Sequence, residues 1–207
     1  MKTKSLFLYL LFAATAFAFI SGCSEKKDDT TDSHEGHATE QRSTPAADVQ
    51  EASTPQFRVD GKFRHQLTSL FNSYVELKDA FVDSDAQKVT KQAAQTKEAL
   101  ANVDMKLLSG AAHNDWMNYF TEIQKSIDQI GSSADIEAQR EAFSVLSDNL
   151  YKSIKAFGLN GKEAFYHYCP MASNNEGSYW LSEEVAIRNP YFGEKMLTCG
   201  EVKEKLM

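Results

Sequence analysis

The stretch FRHQLTSLFNSYVELKDAF, residues 63–81, places Phe63, Leu67, Leu70, Phe71, Tyr74, Leu77 and Phe81 at three- and four-residue steps. That spacing puts one apolar stripe on an α-helix of about 20 residues. Beyond it, Asp83-Ser84-Asp85 forms a cap-like cluster, and Val89, Ala93, Thr96, Leu100 and Val103 carry a second stripe at helical spacing. Gly110 marks a break. Trp116, Tyr119, Phe120, Ile123, Ile127 and Ile130 then make a third stripe that stops at Gly131. Ser132 or Ser133 is placed to cap a fourth segment, whose stripe is Ile136, Phe143, Leu146, Leu150, Ile154 and Phe157, ending at Gly158. Four one-sided helices joined by short connections bury their stripes together most simply as an antiparallel up-down-up-down four-helix bundle, so the predicted fold class is all-α. The aromatic residues on these stripes read as core packing, and His65 and His113 as helix-end or surface residues. No Glu-x-x-His pairs face the expected core, which excludes a di-iron carboxylate centre.

A chain of 207 residues supports one ordinary domain with tails, assigned here to residues 57–207. With 42% hydrophobic and 25% charged residues, it fits neither a collagen-like, a wholly disordered nor a polytopic membrane protein. A formal charge of −7 argues against nonspecific nucleic-acid binding, which needs a basic face to displace phosphate counterions.

Residues 1–22 have the order of a secretion signal. Lys2 and Lys4 precede an apolar run from Leu6 to Ile20, followed by Ser21-Gly22-Cys23. The run is about 15 residues, short of the roughly 20 a spanning helix needs. Ile20-Ser21-Gly22-Cys23 resembles a bacterial lipobox, which implies cleavage before Cys23 and a lipid on its thiol; the alternative is an ordinary signal with an incidental cysteine. Removing the leader takes two lysines and no acid, so the charge moves from −7 to −9. Ser24 to Asp29 is similar to the acidic tags that send some lipoproteins to the outer face of the outer membrane, so the expected location is that membrane, on its periplasmic face or at the cell surface. Residues 23–56 are rich in Ser, Thr, Asp, Glu and Ala and too poor in large apolar side chains to offset the entropy of ordering, hence a disordered tether. Within it, His34 and His37 flank Glu35-Gly36 and make either a secondary metal site or merely a solvated tail.

From Lys162 to Lys203 the composition changes to an irregular segment dense in cysteine, methionine and aromatic residues. Cys169-x-Met171 and Met196-x-x-Cys199, with His167 close by, gather soft donors of the kind that suit Cu(I) rather than magnesium or calcium. Cys169, Met171, Met196, Cys199 and His167 are therefore the candidate metal ligands, with His167 either a ligand or a supporting residue. A competing reading needs no metal: in an oxidising envelope Cys169 and Cys199 form a disulfide, which would contribute on the order of 3–4 kcal/mol in the chain-entropy model.

Tyr166-His167-Tyr168-Cys169-Pro170-Met171-Ala172, Asn189-Pro190-Tyr191-Phe192-Gly193 and Met196-Leu197-Thr198-Cys199-Gly200-Glu201-Val202 together resemble the signature of a bacterial envelope domain of unknown function. That domain occurs as small lipoproteins and appended to the periplasmic adaptors of heavy-metal efflux pumps of the resistance-nodulation-division type. The resemblance implies copper or a related soft metal as cargo, and a membrane, an efflux adaptor or another envelope protein as partner.

Two functions follow as expectations. One is a lipid-anchored protein that binds Cu(I) or a related soft metal for buffering, tolerance or delivery to an efflux system. The other is a structural or interaction module with a Cys169–Cys199 disulfide and no metal, docking through an exposed Trp180 and Tyr191. The chain contains no P-loop, nucleophile elbow, dinucleotide fingerprint, His-Glu-x-x-His or haem-attachment motif, so it is not expected to be an enzyme.

Overall fold

Asp60 opens the first helix by accepting a hydrogen bond from the Lys62 amide at 2.6 Å, and α1 runs Gly61–Val82 with its whole predicted stripe buried. These residues belong to a computed structural model that describes residues 54–207. The predicted leader over residues 1–22, Cys23, His34, His37 and the tether up to residue 53 lie outside the described residues. Asp85 caps α2 (Ala86–Ala101) by accepting from the Gln87 and Lys88 amides. Val103 lies past the end of α2 but is buried all the same. Gly110, expected as a break, is instead the first residue of α3 (Gly110–Ser132), at φ +58°. Tyr119 and Phe120 of the third stripe are only half-buried.

The fourth helix, α4 (Ile136–Phe157), corrects the expected cap. Asp135 holds the Ncap position and accepts from the Glu137 amide at 2.9 Å, while Ser133 Oγ accepts from the Asp135 amide at 3.1 Å. The carboxylate wins because it sits at the last non-helical residue, within reach of the free amides of the first turn. Phe63, early in α1, meets Trp116, early in α3, at 5.3 Å and Phe157, at the end of α4, at 5.2 Å. Phe81, at the other end of α1, meets Phe143 near the start of α4 at 4.5 Å. The first and fourth helices are therefore antiparallel, and the first and third parallel. Ser73 to Thr96 at 3.2 Å and Lys97 to Asp128 at 2.6 Å link α1 to α2 and α2 to α3. Each fully buried Leu, Ile or Phe stabilises this packing by about 1.5–3 kcal/mol.

The carboxyl-terminal quarter departs from the all-α expectation, and residues 162–203 are not irregular throughout. Strands β1 (Ala164–Cys169), β2 (Ser178–Ser182) and β3 (Glu201–Leu206) form an antiparallel sheet in the order β2-β1-β3, so the fold is mostly helical with a small sheet. The central strand reads AFYHYC and is almost entirely buried, so it lacks the alternation of a half-exposed strand. Tyr74 joins helices and sheet: its hydroxyl pairs with Ser147 Oγ at 2.7 Å and accepts the Leu181 amide at 3.1 Å. Tyr166 of β1 stacks on Tyr151 of α4 at 3.8 Å and donates to Asp148 at 3.1 Å. Among the described residues no helix is long and apolar enough to cross a membrane.

Candidate functional site

Cys169 ends the central strand, and Cys199 lies two residues before β3. Tyr168 pairs with Glu201, so continuing that antiparallel register places Gly200 across from Cys169 and brings Cys199 beside it. The two sulfur atoms lie 2.7 Å apart as free thiols. Cys169 is fully buried and Cys199 half-buried. Gly200 makes the approach possible: at φ +140° a Cβ there would stand 2.8 Å from both the Tyr168 carbonyl oxygen and the Trp180 ring.

The loop that carries Cys199 is fastened by buried polar groups. Asn189, wholly buried, donates through Nδ2 to the Cys199 carbonyl at 2.8 Å and accepts at Oδ1 from the Tyr191 amide at 2.8 Å, while its own amide reaches the Leu197 carbonyl at 2.8 Å. Tyr191 Oη donates to the Tyr179 carbonyl at 2.6 Å and ties the loop to β2. Arg140 of α4 donates from Nε to the Pro190 carbonyl at 3.0 Å and from Nη2 to Ser84 Oγ at 2.9 Å. One buried guanidinium thus joins α4, the turn between α1 and α2, and the cysteine loop. Each of these groups would be left unsatisfied if its partner were removed, which makes the loop a defined structure rather than a tether.

The hydrogen bond with Cys169, aided by burial, pushes the Cys199 thiol up to about 11. At neutral pH Cys199 therefore carries its proton, and any metal bound there must displace it.

His167 sits in the middle of β1, wholly buried, with its ring edge-on to Trp180 at 5.2 Å. Neither ring nitrogen makes a well-formed hydrogen bond, although the Glu184 backbone lies close enough to favour the protonated ring slightly. Burial, with the Lys78 ammonium as a second cause, lowers its pKa to about 4, so the imidazole is neutral at physiological pH. Among the described residues no three His, Cys, Asp or Glu side chains converge as a metal site, so His167 does not complete a third ligand for the two cysteines.

Met171 and Met196 fall in a different place. Both line a cleft of about 450 Å³ between α4, the Ala172–Asn175 turn and the stretch ending in the 3-10 turn Gly193–Met196; its lining includes neither cysteine nor His167. Met171 is 47% exposed there. The turn behind it is left-handed at Ser173, Asn174 and Asn175, a conformation that asparagine tolerates better than most residues. The five predicted ligands are thus distributed as a thiol pair, a methionine-lined cleft and a separate buried imidazole. Trp180 and Tyr191, expected to be exposed docking residues, are both buried, because they pack on each other at 6.1 Å and Tyr191 packs on Phe143.

Sequence reasoning missed Asn189 and Arg140 as the residues that hold the loop. Asn189 had a usable signal, since an Asn before Pro and two residues before an aromatic can fold back on its own backbone. Arg140 had none, being one charge among several on a helix.

Residues 70–162 match the model of a family described as a protein of unknown function (DUF3347). The similarity runs over most of the helices and ends before β1, so the thiol pair, the cleft and His167 lie beyond it. No curated protein and no solved structure matches the chain.

Proposed function

We propose that this chain is a lipid-anchored protein of the bacterial cell envelope, held through Cys23 to the outer membrane, which binds Cu(I) or a related soft ion for buffering, tolerance or delivery to an efflux system. The observation that carries this reading is the convergence of Cys169 and Cys199, 30 positions apart in the chain, at a loop built by Asn189 and Arg140; an ion held between their sulfurs, 2.7 Å apart, requires these to separate to the span of two metal–sulfur bonds. Two thiolates are a soft donor set that selects Cu(I) over hard divalent ions. Met171 and Met196, on the two chain segments that carry the cysteines, line a separate cleft open to solvent and supply thioethers there rather than at the thiol pair. Binding at the pair releases a proton from Cys199, so Cu(I) affinity rises with pH through the range below about 11.

Titration of the reduced protein with Cu(I) against a competing chelator tests this directly. Tight one-to-one uptake that weakens at least tenfold in Cys169→Ser and Cys199→Ser, and by less in Met171→Leu and Met196→Leu, is the expected result. Unchanged uptake in both cysteine variants refutes it.

The same sulfur contact favours a second reading, a structural disulfide without metal. The interaction-module form of that reading loses its anchors, because Trp180 and Tyr191 are buried. Intact-mass measurement on protein isolated from cells without reductant separates the two: a stoichiometric loss of two hydrogens that persists when copper is supplied supports the staple.

A further inference from the structure

The thiol pair is asymmetric in a way that a static ligand set does not require. Cys169 is enclosed at the end of the central strand, whereas Cys199 is half-buried on the loop, and no side chain separates the sulfurs. Both are also wired to the methionine cleft. Met171 follows Cys169 by two residues, and the Cys199 amide donates to the Met196 carbonyl at 3.0 Å, so the two cleft methionines hang from the two chains that the sulfurs join. We propose that Cys169 and Cys199 form a reversible thiol–disulfide switch, with Cys199 as the entry sulfur and Cys169 as the resolving one, which turns soft-metal binding off when the pair is oxidised. The metal arm of this inference rests on the function proposed above; the exchange arm does not.

The step balances as ordinary thiol–disulfide exchange with an oxidised disulfide, R–S–S–R, as co-reactant. Cys199 first gives up its proton to solvent, its thiolate attacks one sulfur of that disulfide, a Cys199–S–R bond forms, and RS⁻ leaves and takes up a proton. The Cys169 thiolate then attacks Cys199 Sγ, forms the Cys169–Cys199 bond and expels the second RS⁻. Two electrons pass from the pair to the partner, and the two thiol protons end on two RSH molecules. A reduced dithiol runs the sequence backward. Closing the bond consumes both thiolate ligands, so the oxidised form has lost the soft donors that hold the ion.

The test equilibrates the full chain, solubilised in detergent, against glutathione buffers of graded thiol-to-disulfide ratio, then alkylates the remaining thiols and counts them by mass spectrometry. A reversible two-electron transition is expected, with Cu(I) uptake falling at least tenfold in the oxidised form and returning on reduction. Oxidised glutathione should trap a mixed disulfide on Cys199 in Cys169→Ser more readily than on Cys169 in Cys199→Ser. Alkylation of the reduced wild type should label Cys199 before Cys169, a readout independent of how well the variants fold. Failure of the pair to close, or first labelling at Cys169, overturns the switch even where reduced protein binds Cu(I) tightly. Reversible closure with no Cu(I) uptake by either form instead overturns the metal function, and the gating with it.

Discussion

The helices and the sheet with its loop are held by different kinds of contact. In α1 through α4 the backbone bonds are local and the tertiary contribution comes from interlocked rings such as Phe63, Trp116 and Phe157. In the last quarter local bonds such as Asn189 to Tyr191 are joined by polar contacts between residues far apart: Leu181 to Tyr74, Pro190 to Arg140, Cys199 to Cys169. The thiol pair and the methionine-lined cleft sit in the second region. The helices supply the floor, and a sheet and loop that combine buried aromatic packing with polar contacts between distant segments position the sulfurs. The family similarity follows the same division, covering most of the helices and ending before the sheet.

The largest effect that probes this division is expected at Phe143, whose ring contacts Tyr74, Phe81 and Tyr191 and so belongs to both regions. Phe143→Ala should cost about 3–5 kcal/mol, with loss of helical circular dichroism and of the protection of both thiols at the same denaturant concentration. Separate midpoints would mean that the regions unfold independently.

Acid should act next. His167 has a pKa of about 4 in the folded chain against an ordinary 6.5, so the unfolded chain binds more protons between those values. Its contribution is fully present above pH 6.5, declines as pH falls toward 4, and levels off below that, with about 3–4 kcal/mol as an upper bound. Asp148, whose carboxyl is raised chiefly by burial, works in the opposite sense. Comparing denaturation midpoints of wild type and His167→Gln from pH 7 to pH 4 isolates the histidine; parallel curves would show that its burial carries no proton linkage.

Asn189→Ala removes two side-chain bonds and leaves the Cys199 carbonyl and the Tyr191 amide without them. A loss of about 1–3 kcal/mol is expected, concentrated in the loop, so alkylation of Cys169 should speed up while the helical signal barely changes. An equal loss in both signals would contradict the division. The smallest effect is at the helix cap: Asp85→Ala should cost about 1 kcal/mol and lower the thermal midpoint without altering thiol reactivity.

Much of the helical part was legible in the chain. The stripes from Phe63, Val89, Trp116 and Ile136 mark four helices because a helical face repeats every three or four residues. Their ends were less legible: Asp135 rather than Ser133 caps α4, and Gly110 begins α3 instead of breaking the chain. The strands were hidden, since β1 is buried on both faces and shows no alternation. Of the candidate site, the two cysteines stood out by residue type. Their contact depends on the register of β1 with β3 and on Gly200, and the separation of Met171 and Met196 into a cleft depends on the turn at Ser173 and on α4.

By itself, the order of residues determined where the four helices lie, which faces they bury, and that soft donors gather near the carboxyl end, because each of these is a matter of local spacing and composition. Only the tertiary structure decided that the end of the chain folds as a sheet, that Asn189 and Arg140 hold its loop, and that the thiols face each other while the methionines do not join them. Those outcomes depend on contacts between segments distant in the chain, whose pairing is set by how the whole core packs.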